Sequence, residues 1–404
     1  MSSTSPDNIG QDNQTLVEEL RRFATFEVLR GSQFYRSTEA EIHKLLDEPR
    51  VYVVADPRPR LRSFLRVVEW NVERGARLEG IIEVLNYHPV LRFADLLLLN
   101  ELDDGMVRSG NLNVAVELGR GLEAHAVFGV EYLELTKGAG YELNMPGNNT
   151  AALHGNAILT RHSISKPQVV RLARCENNFE SAERRFGGRI GVLVDLEIRG
   201  KRLTVVTTHL DVVNSPRCRA KQIRTMLEAV EQRGKQTGAR VSSIVFGGDL
   251  NTHTFARGGR LRAIKNTAVI LGSNSRSLAD RLLNPERTEP ALGELERFGY
   301  EIDLLNDGKP TSRSVVSALD DSSRLPLPMK WWVRKRVPPE GLLLEFRLDW
   351  LAARGLKPLA SGEVTDRDTG VLSIAAQTIA GLAHKGQPLS DHDPIVVDLE
   401  VPRS

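Results

Sequence analysis

The chain has 404 residues, 41% of them hydrophobic and 26% charged, which is typical of a soluble globular enzyme with one large or two smaller domains. The net charge of +2 indicates no particular partner, and no run approaches the roughly 18 apolar residues that predict a membrane span. The polar start lacks the apolar segment of a signal peptide. Cys175 and Cys218 neither require a disulfide nor form a metal cluster, so we expect a reducing compartment and a cytoplasmic protein.

The first 60 residues are interpreted as an N-terminal arm. Residues 1–14 are polar and are predicted to be disordered. Apolar residues at helical spacing predict helices over 16–29 and 38–46, which we expect to pack on the main domain. The main domain then spans residues 61–404, with insertions near 254–298 and 313–346.

Two apolar segments in the first half of the main domain end in polar residues. Phe64 to Trp70 predicts a strand that is followed by Asn71, and Ala94 to Leu99 predicts a buried strand that is followed by Asn100 and Glu101. Strand ends are favoured positions for ligands in sheets of this kind, although an asparagine there is also an ordinary turn residue. We interpret Glu101 as a metal ligand. The next acidic residues, Asp103 and Asp104, are interpreted as solvated or capping residues.

Four polar residues in the middle of the chain are further candidates. Glu131, within the strand predicted over 127–135, is either an orienting carboxylate or an exposed residue. Asn156 lies at the entrance of a short strand. Arg185 and Arg189 precede a predicted hairpin, where they either bind phosphate or are solvated.

Further polar residues follow two strands in the second half of the chain. The strand over 202–208 ends at His209, which is a candidate for phosphate contact or proton transfer. The run Val241 to Phe246 predicts a buried strand that two glycines end, and Asp249 and Asn251 follow. If the extended geometry continues, both side chains point the same way and hold a hard cation or a polarised water. Taken alone, this motif is also typical of a turn.

The last candidates lie near the end of the chain. Asp349 lies on a predicted strand, and Asp391 and His392 precede the terminal strand over 395–401. A carboxylate beside a histidine fixes the orientation of its ring and raises its pKa, which suits an acid or a positioned cation.

A basic and aromatic segment lies within the second insertion. Residues 324–336 contain five basic residues and no acidic ones, with Trp331 and Trp332 adjacent. Such a segment stacks a base, follows a nucleic-acid backbone or enters a lipid interface. Alternatively, the tryptophans pack against the domain and the charges are solvated.

In this order, the motifs resemble those of the endonuclease/exonuclease/phosphatase superfamily, whose fold is that of the pancreatic-type deoxyribonucleases. The resemblance covers about residues 64–402. The matching motifs are Trp70-Asn71, Asn100-Glu101, Gly155-Asn156-Ala157-Ile158-Leu159, Thr208-His209-Leu210, Gly248-Asp249-Leu250-Asn251, Leu348-Asp349 and Ser390-Asp391-His392-Asp393-Pro394.

The resemblance implies an α/β (α+β) fold, a four-layered sandwich of two packed mixed, mainly antiparallel β-sheets flanked by helices. It also implies a role for each matching residue. Metal ligation falls on Asn71, Glu101 and Asp391; catalysis on His209, Asp249, Asn251, Asp349 and His392; and substrate contact on Asn156, with Arg189, Trp331 and Trp332 added from the residues themselves. Glu131 is a loosely matched partner for His209.

The implied activity is hydrolysis of a phosphate ester with Mg²⁺ or Mn²⁺, by in-line attack of a water that Asp249 activates. We favour a phosphodiester and a nuclease-like substrate. Alternatives are a phosphomonoesterase, a hydrolase of phospholipids or inositol phosphates, and a non-catalytic binding module. A binding module is expected to lack one of Glu101, His209, Asp249 and His392, yet all four are present. Peripheral membrane contact stays open, and the sequence indicates no oligomeric state.

Overall fold

The computed structural model describes residues 6–175, 177–212, 215–236, 243–253, 275–316 and 342–401, and the single residues 268, 272, 328, 331 and 335. The described helices are α1 (Pro6–Arg21), α2 (Phe26–Gly31), α3 (Gln33–Asp47), α4 (Leu78–Tyr87), α5 (Val114–Leu122), α6 (Pro216–Gln236), α7 (Ser275–Leu283) and α8 (Pro290–Arg297). The described strands are β1 (Arg50–Tyr52), β2 (Phe64–Arg74), β3 (Leu96–Asp104), β4 (His125–Glu134), β5 (Leu153–Thr160), β6 (Ile164–Arg171), β7 (Arg185–Gly187), β8 (Ile190–Ile198), β9 (Lys201–Thr208), β10 (Ile244–Asp249), β11 (Ser312–Val316), β12 (Leu342–Phe346), β13 (Asp349–Arg354), β14 (Gln377–Thr378), β15 (Ala383–His384), β16 (Gln387–Pro388) and β17 (Ile395–Glu400).

Two sheets form the centre of the fold. The first has the order β1-β4-β5-β3-β2-β17-β14, with β7 paired to β4, and the second has the order β13-β10-β9-β8-β6. Each sheet contains one parallel pair, β2 with β3 and β9 with β10, and its other pairs are antiparallel. The predicted mixed, mainly antiparallel sheets are therefore confirmed.

The alternation of side chains along the strands produces four layers. One face of each sheet packs against the other sheet, and residues such as Val67, Leu98, Val205 and Leu351 fill this space. On the outer face of the first sheet, helices α1 to α5 cover Trp70 and its neighbours. Helices α6 and α8 cover the outer face of the second sheet. Each buried aliphatic side chain in these layers contributes about 1.5–3 kcal/mol.

The N-terminal arm is helical from Pro6 and contacts the first sheet region. Leu16, Val17 and Leu20 of α1 belong to its outer core, and the Asn13 side chain donates a hydrogen bond of 3.1 Å to the carbonyl of Ala151. The expectation of disorder up to residue 14 is therefore wrong for residues 6–14, because the helix begins ten residues before the apolar pattern does. The helix predicted over 16–29 is divided between α1 and α2.

The structure joins Cys175 and Cys218 in a disulfide. The sequence did not require this bond, because two cysteines 43 residues apart give no indication of their distance in space. Disulfides are rare in cytosolic proteins, so the cysteines no longer support the expected reducing compartment. Among the described helices, none has the length and apolar character that crossing a bilayer requires.

Most of the predicted basic and aromatic segment lies outside the described residues, including Trp332. Trp331 is described and is 61% exposed, with Lys335 Nζ 3.9 Å from the centre of its ring. Apart from residues 268 and 272, the first insertion is described from residue 275 and contains α7 and α8.

Candidate active site

The site forms where the layer between the two sheets changes from apolar to polar. On β2, Val67 is followed on the same face by Glu69 and Asn71. On β10, Val245 is followed by Gly247 and Asp249 in the same way. Because side chains alternate along a strand, polar residues at the ends of several strands converge at one end of this layer.

Asp249 and Asp349 are direct neighbours because β10 and β13 pair in antiparallel register at these two residues. Both carboxylates are buried. Burial, followed by the negative charge of Asp349, raises the pKa of Asp249 to about 7. Gly248 allows this geometry, since its φ of 147° places the backbone where a Cβ would collide with the carbonyl oxygen of Thr208. A carboxylate with a pKa near neutrality is suited to accept a proton.

Asn71 joins Asp249 to Glu101. Its Nδ2 donates hydrogen bonds to Glu101 Oε1 at 3.2 Å and to Asp249 Oδ2 at 3.1 Å, while its Oδ1 accepts one from the backbone N–H of Glu73 at 3.1 Å. Because the amide directs its nitrogen towards the carboxylates, Asn71 positions them here. Direct metal ligation by Asn71, which the resemblance implied, stays a prediction.

Three carboxyl groups lie on the Glu101 side of the site. Glu101 is half-buried, and Asp391 is exposed. Burial opposes ionisation of Glu101, but the charges of His154 and Arg74 and the hydrogen bond from Asn71 lower its pKa overall. Burial and the charge of Asp391 raise the pKa of Glu73. These donors are all oxygens, which fit a hard divalent cation.

A second group of described residues also offers metal ligands. Atoms of Asp249, Asp349 and His392 lie within 4.8 Å of one another. In this group His392 Nδ1 is already 2.7 Å from Asp349 Oδ2, in a hydrogen bond. We therefore regard the Glu101 side as the better place for a hard cation.

His392 is held by the backbone on one side and by Asp349 on the other. Its carbonyl accepts a hydrogen bond of 2.9 Å from Trp70 Nε1, and its N–H donates to Ser390 Oγ at 3.1 Å. Burial opposes the charged ring, but the charge and hydrogen bond of Asp349 dominate and raise the His392 pKa well above its usual range. The Nε2 atom lies 3.9 Å from Asp249 Oδ2. His392 is thus positioned as a cation beside the Asp249 carboxylate.

His209 is the second buried histidine, and its Nε2 lies 3.4 Å from Asp249 Oδ2. Burial and then the charge of Arg189 lower its pKa well below the usual range, so the ring is neutral. Neither ring nitrogen has a hydrogen-bond partner within the described part of the chain. The expected partner Glu131 instead binds Asn156 and Arg189, so its pairing with His209 is wrong. A buried polar atom without a partner is available to a ligand.

The sequence profile of the endonuclease/exonuclease/phosphatase family matches residues 68–392, a range that contains all of these site residues. The chain belongs to this family. The resemblance inferred from the motifs is confirmed, and the protein is a hydrolase that acts on phosphate esters. Enzymes of this family generally use divalent metals. No curated protein sequence matches the chain.

Solved structures with related folds have low sequence identity to the chain. The human Nocturnin catalytic domain with bound sulfate is 15% identical, with a TM-score of 0.44, over 88% of this chain and 96% of that one. A family protein from Leptotrichia buccalis is 15% identical, with a TM-score of 0.45, over 83% and 100%. The 2′,3′-cyclic phosphatase ANGEL2 in complex with adenosine-2′,3′-vanadate is 14% identical, with a TM-score of 0.45, over 87% and 98%.

Two of the residues expected to contact substrate, Asn156 and Arg189, have side chains that are bonded to other residues of the protein. Asn156 is fully buried, and its amide is hydrogen-bonded to Asn100 and Glu131. It therefore has no surface to offer a substrate, and we withdraw that role. Arg189 is half-buried and forms ion pairs with Glu131 at 2.9 Å and with Asp211 at 3.6 Å. Its charge is largely committed to these carboxylates.

Two carboxylates have environments that the sequence did not indicate. Asp103 was interpreted as a solvated or capping residue, but it is fully buried, in an ion pair with Arg108 and a hydrogen bond with His154. Glu69 is fully buried beneath Asn71, and neither of its oxygens has a hydrogen-bond partner among the described residues. Burial, followed by the charges of Asp349 and Asp249, raises the pKa of Glu69 well above its usual range. The one available signal was its position, two residues before Asn71 on a strand face that is otherwise apolar.

Proposed function

We propose that the protein is a divalent-metal-dependent phosphodiesterase with a nuclease-like substrate. The observation that carries this proposal is the convergence on Asp249 of two different histidines and of the Asn71–Glu101 pair. Asp249 Oδ2 lies 3.1 Å from Asn71 Nδ2, 3.4 Å from His209 Nε2 and 3.9 Å from His392 Nε2. The proposed base Asp249 therefore has a neutral histidine, a cationic histidine and the Glu101 carboxylate around it.

Each group then has a role in hydrolysis. Asp249 accepts a proton from the attacking water, for which its raised pKa is suited. His392, which Asp349 orients, stabilises the negative charge that develops on the phosphate oxygens. Neutral His209 donates a hydrogen bond to the same phosphate. Asn251, whose Nδ2 donates to the Leu210 carbonyl at 2.9 Å, maintains the turn that follows Asp249.

Glu101, together with Asp391, would hold the cation. Mg²⁺ or Mn²⁺, when bound, neutralises phosphate oxygens and lowers the barrier to attack by an anionic nucleophile. The oxygen donors on this side fit either ion.

The preference for a nuclease-like substrate depends on the basic and aromatic segment. It carries five basic and no acidic residues, and the exposed Trp331 ring is available for stacking on a base. A phosphomonoesterase or a hydrolase of phospholipids or inositol phosphates has the same catalytic requirements, and only turnover separates these substrates.

The test is hydrolysis of a substrate panel with and without Mg²⁺ or Mn²⁺. The panel contains single- and double-stranded DNA, RNA, a phospholipid, inositol phosphates and bis-(4-nitrophenyl) phosphate. Asp249→Ala and His392→Ala are expected to abolish metal-dependent turnover. Matched controls are Asp368→Ala and His43→Ala, because both residues are exposed and lie away from the site. No turnover by folded, metal-loaded wild type on any substrate would contradict the proposal.

A further inference from the structure

A chain of buried hydrogen bonds crosses the site from Arg189 to the backbone of Asp249. Arg189 Nη1 donates to Glu131 Oε2 at 2.9 Å, and Glu131 Oε1 accepts from Asn156 Nδ2 at 2.9 Å. Asn156 Oδ1 accepts from Asn100 Nδ2 at 3.0 Å, and Asn100 Oδ1 accepts from the N–H of Asp249 at 2.7 Å. The chain therefore connects the first sheet to the residue that carries the proposed base.

The two ends of this chain fix the orientation of both amides. A backbone N–H can only donate, so Asn100 must direct its oxygen towards Asp249. An ionised carboxylate can only accept, so Asn156 must direct its nitrogen towards Glu131. The two amides then meet with a donor opposite an acceptor. The opposite orientation of either side chain would place two like groups in contact.

Burial leaves these groups few alternatives. Glu131, Asn156 and Asn100 each have a relative exposure of 0%. They come from three adjacent strands, β4, β5 and β3, and Glu131 and Asn100 lie where the pairing of their strands with β5 shifts register. A buried polar group that loses its partner incurs a large desolvation cost, so the chain keeps Asp249 at one distance from the sheet.

We propose that Asn100 and Glu131 are positioning residues for the reaction: Asn100 acts on Asp249 directly, and Glu131 acts through Asn156 and Asn100. This inference rests on the proposed function, in which Asp249 is the base. Asn100 holds the backbone of Asp249 directly. Glu131, whose charge Arg189 balances, fixes the orientation of the two side-chain amides from the other end of the chain. Asn156 is a link in this chain and makes no contact with substrate.

The first test separates positioning from simple stability. Asn100→Ala is expected to lower kcat for bis-(4-nitrophenyl) phosphate by about 10- to 100-fold, since small misplacements of a catalytic group have effects of this size. KM is expected to stay within about twofold of wild type, because Asn100 does not contact substrate. The control is Asn149→Ala, another buried asparagine whose amide has two hydrogen bonds, to Val107 and Thr136. It is expected to lower the melting temperature while kcat stays at the wild-type value.

The second test reverses one link of the chain. Asn156→Asp places a carboxylate opposite Glu131 and is expected to lower kcat at least as much as Asn100→Ala. Adding Glu131→Gln restores a donor opposite an acceptor, and the double variant is expected to regain at least tenfold in kcat.

The outcomes distinguish this inference from the proposed function. An inactive wild type would overturn both. If wild type is active and Asn100→Ala loses only melting temperature, or if the double variant gains stability without regaining kcat, the positioning role is wrong and the proposed function stands.

Discussion

His392 Nδ1 lies 2.7 Å from Asp349 Oδ2, and the Asp349 carboxylate affects the pKa of both His392 and Asp249. Asp349 raises the pKa of His392 through its charge, and it raises the pKa of Asp249 across the β10–β13 pair. One carboxylate thus favours both the cationic histidine and the protonated form of the proposed base.

Asp349→Asn is therefore expected to shift the whole pH–rate profile to lower pH. The acid limb moves down because Asp249 loses a neighbouring negative charge and ionises more readily. The alkaline limb moves down because His392 loses the anion that keeps it protonated. We expect kcat to fall by about 10² to 10⁴-fold, as when an orienting carboxylate is removed from other catalytic histidines. An unchanged profile, measured from kcat between pH 5 and 10, would contradict this assignment.

Metal dependence is expected to respond to Glu101 more than to Asp391. Glu101 is half-buried and hydrogen-bonded to Asn71, whereas Asp391 is exposed. Glu101→Gln should raise the Mg²⁺ concentration for half-maximal activity by about 10-fold or more, and Asp391→Asn should raise it less. Glu41→Gln, on the exposed side of α3, is the control and should leave the titration unchanged. Removal of metal with EDTA should abolish turnover.

Glu69 is expected to make stability depend on pH. Its pKa is raised in the folded state, so the folded protein binds more protons than the unfolded chain above the ordinary glutamate pKa. The contribution of Glu69 to the free energy of unfolding is fully present below the ordinary glutamate pKa. It is lost as the pH rises through the pKa that Glu69 has in the folded state. Glu69→Gln cannot ionise, so its melting temperature relative to wild type should rise between pH 6 and pH 9 by about 2 °C or more. Metal-free protein is used, and a constant difference would show that Glu69 does not titrate there.

The Cys175–Cys218 disulfide is expected to stabilise the protein. It closes a loop with a sequence separation of 43 residues, for which chain entropy predicts about 4 kcal/mol. The variant Cys175→Ser/Cys218→Ser should lose free energy of unfolding in urea, up to that amount. Reducing agent should lower the stability of wild type to the level of the variant and have no effect on the variant itself. Equal stability with and without reductant would indicate that the bond is absent in solution.

Trp331 is expected to affect substrate binding more than folding. Its side chain is 61% exposed, so Trp331→Ala should change the melting temperature by less than about 1 °C. If the ring stacks on a base, KM for an oligonucleotide should rise several-fold while KM for bis-(4-nitrophenyl) phosphate stays constant. A lower melting temperature with unchanged kinetics would indicate packing instead.

The sequence by itself determined the apolar parts of the strands and the polar residues that follow them, although β2 continues past Asn71 to Arg74 and β3 past Glu101 to Asp104. Asn71, Glu101, His209 and Asp249 each follow an apolar run whose period identifies a strand, and this information is local. The order of the motifs then identified the family. The four-layered fold followed from the resemblance that these motifs carry, and the alternation of any single strand does not establish it.

Only the tertiary structure decided how these groups pair. Asn100 and Asp249 are 149 residues apart, and their hydrogen bond depends on how one sheet lies against the other. Contacts between distant segments decide three further features in the same way. They bury Asp103, pair Glu131 with Asn156 instead of His209, and bring the two cysteines together. A carboxylate, an amide or a thiol has the same local sequence whether it faces water or a buried partner, so its role is fixed only when the strands are assembled.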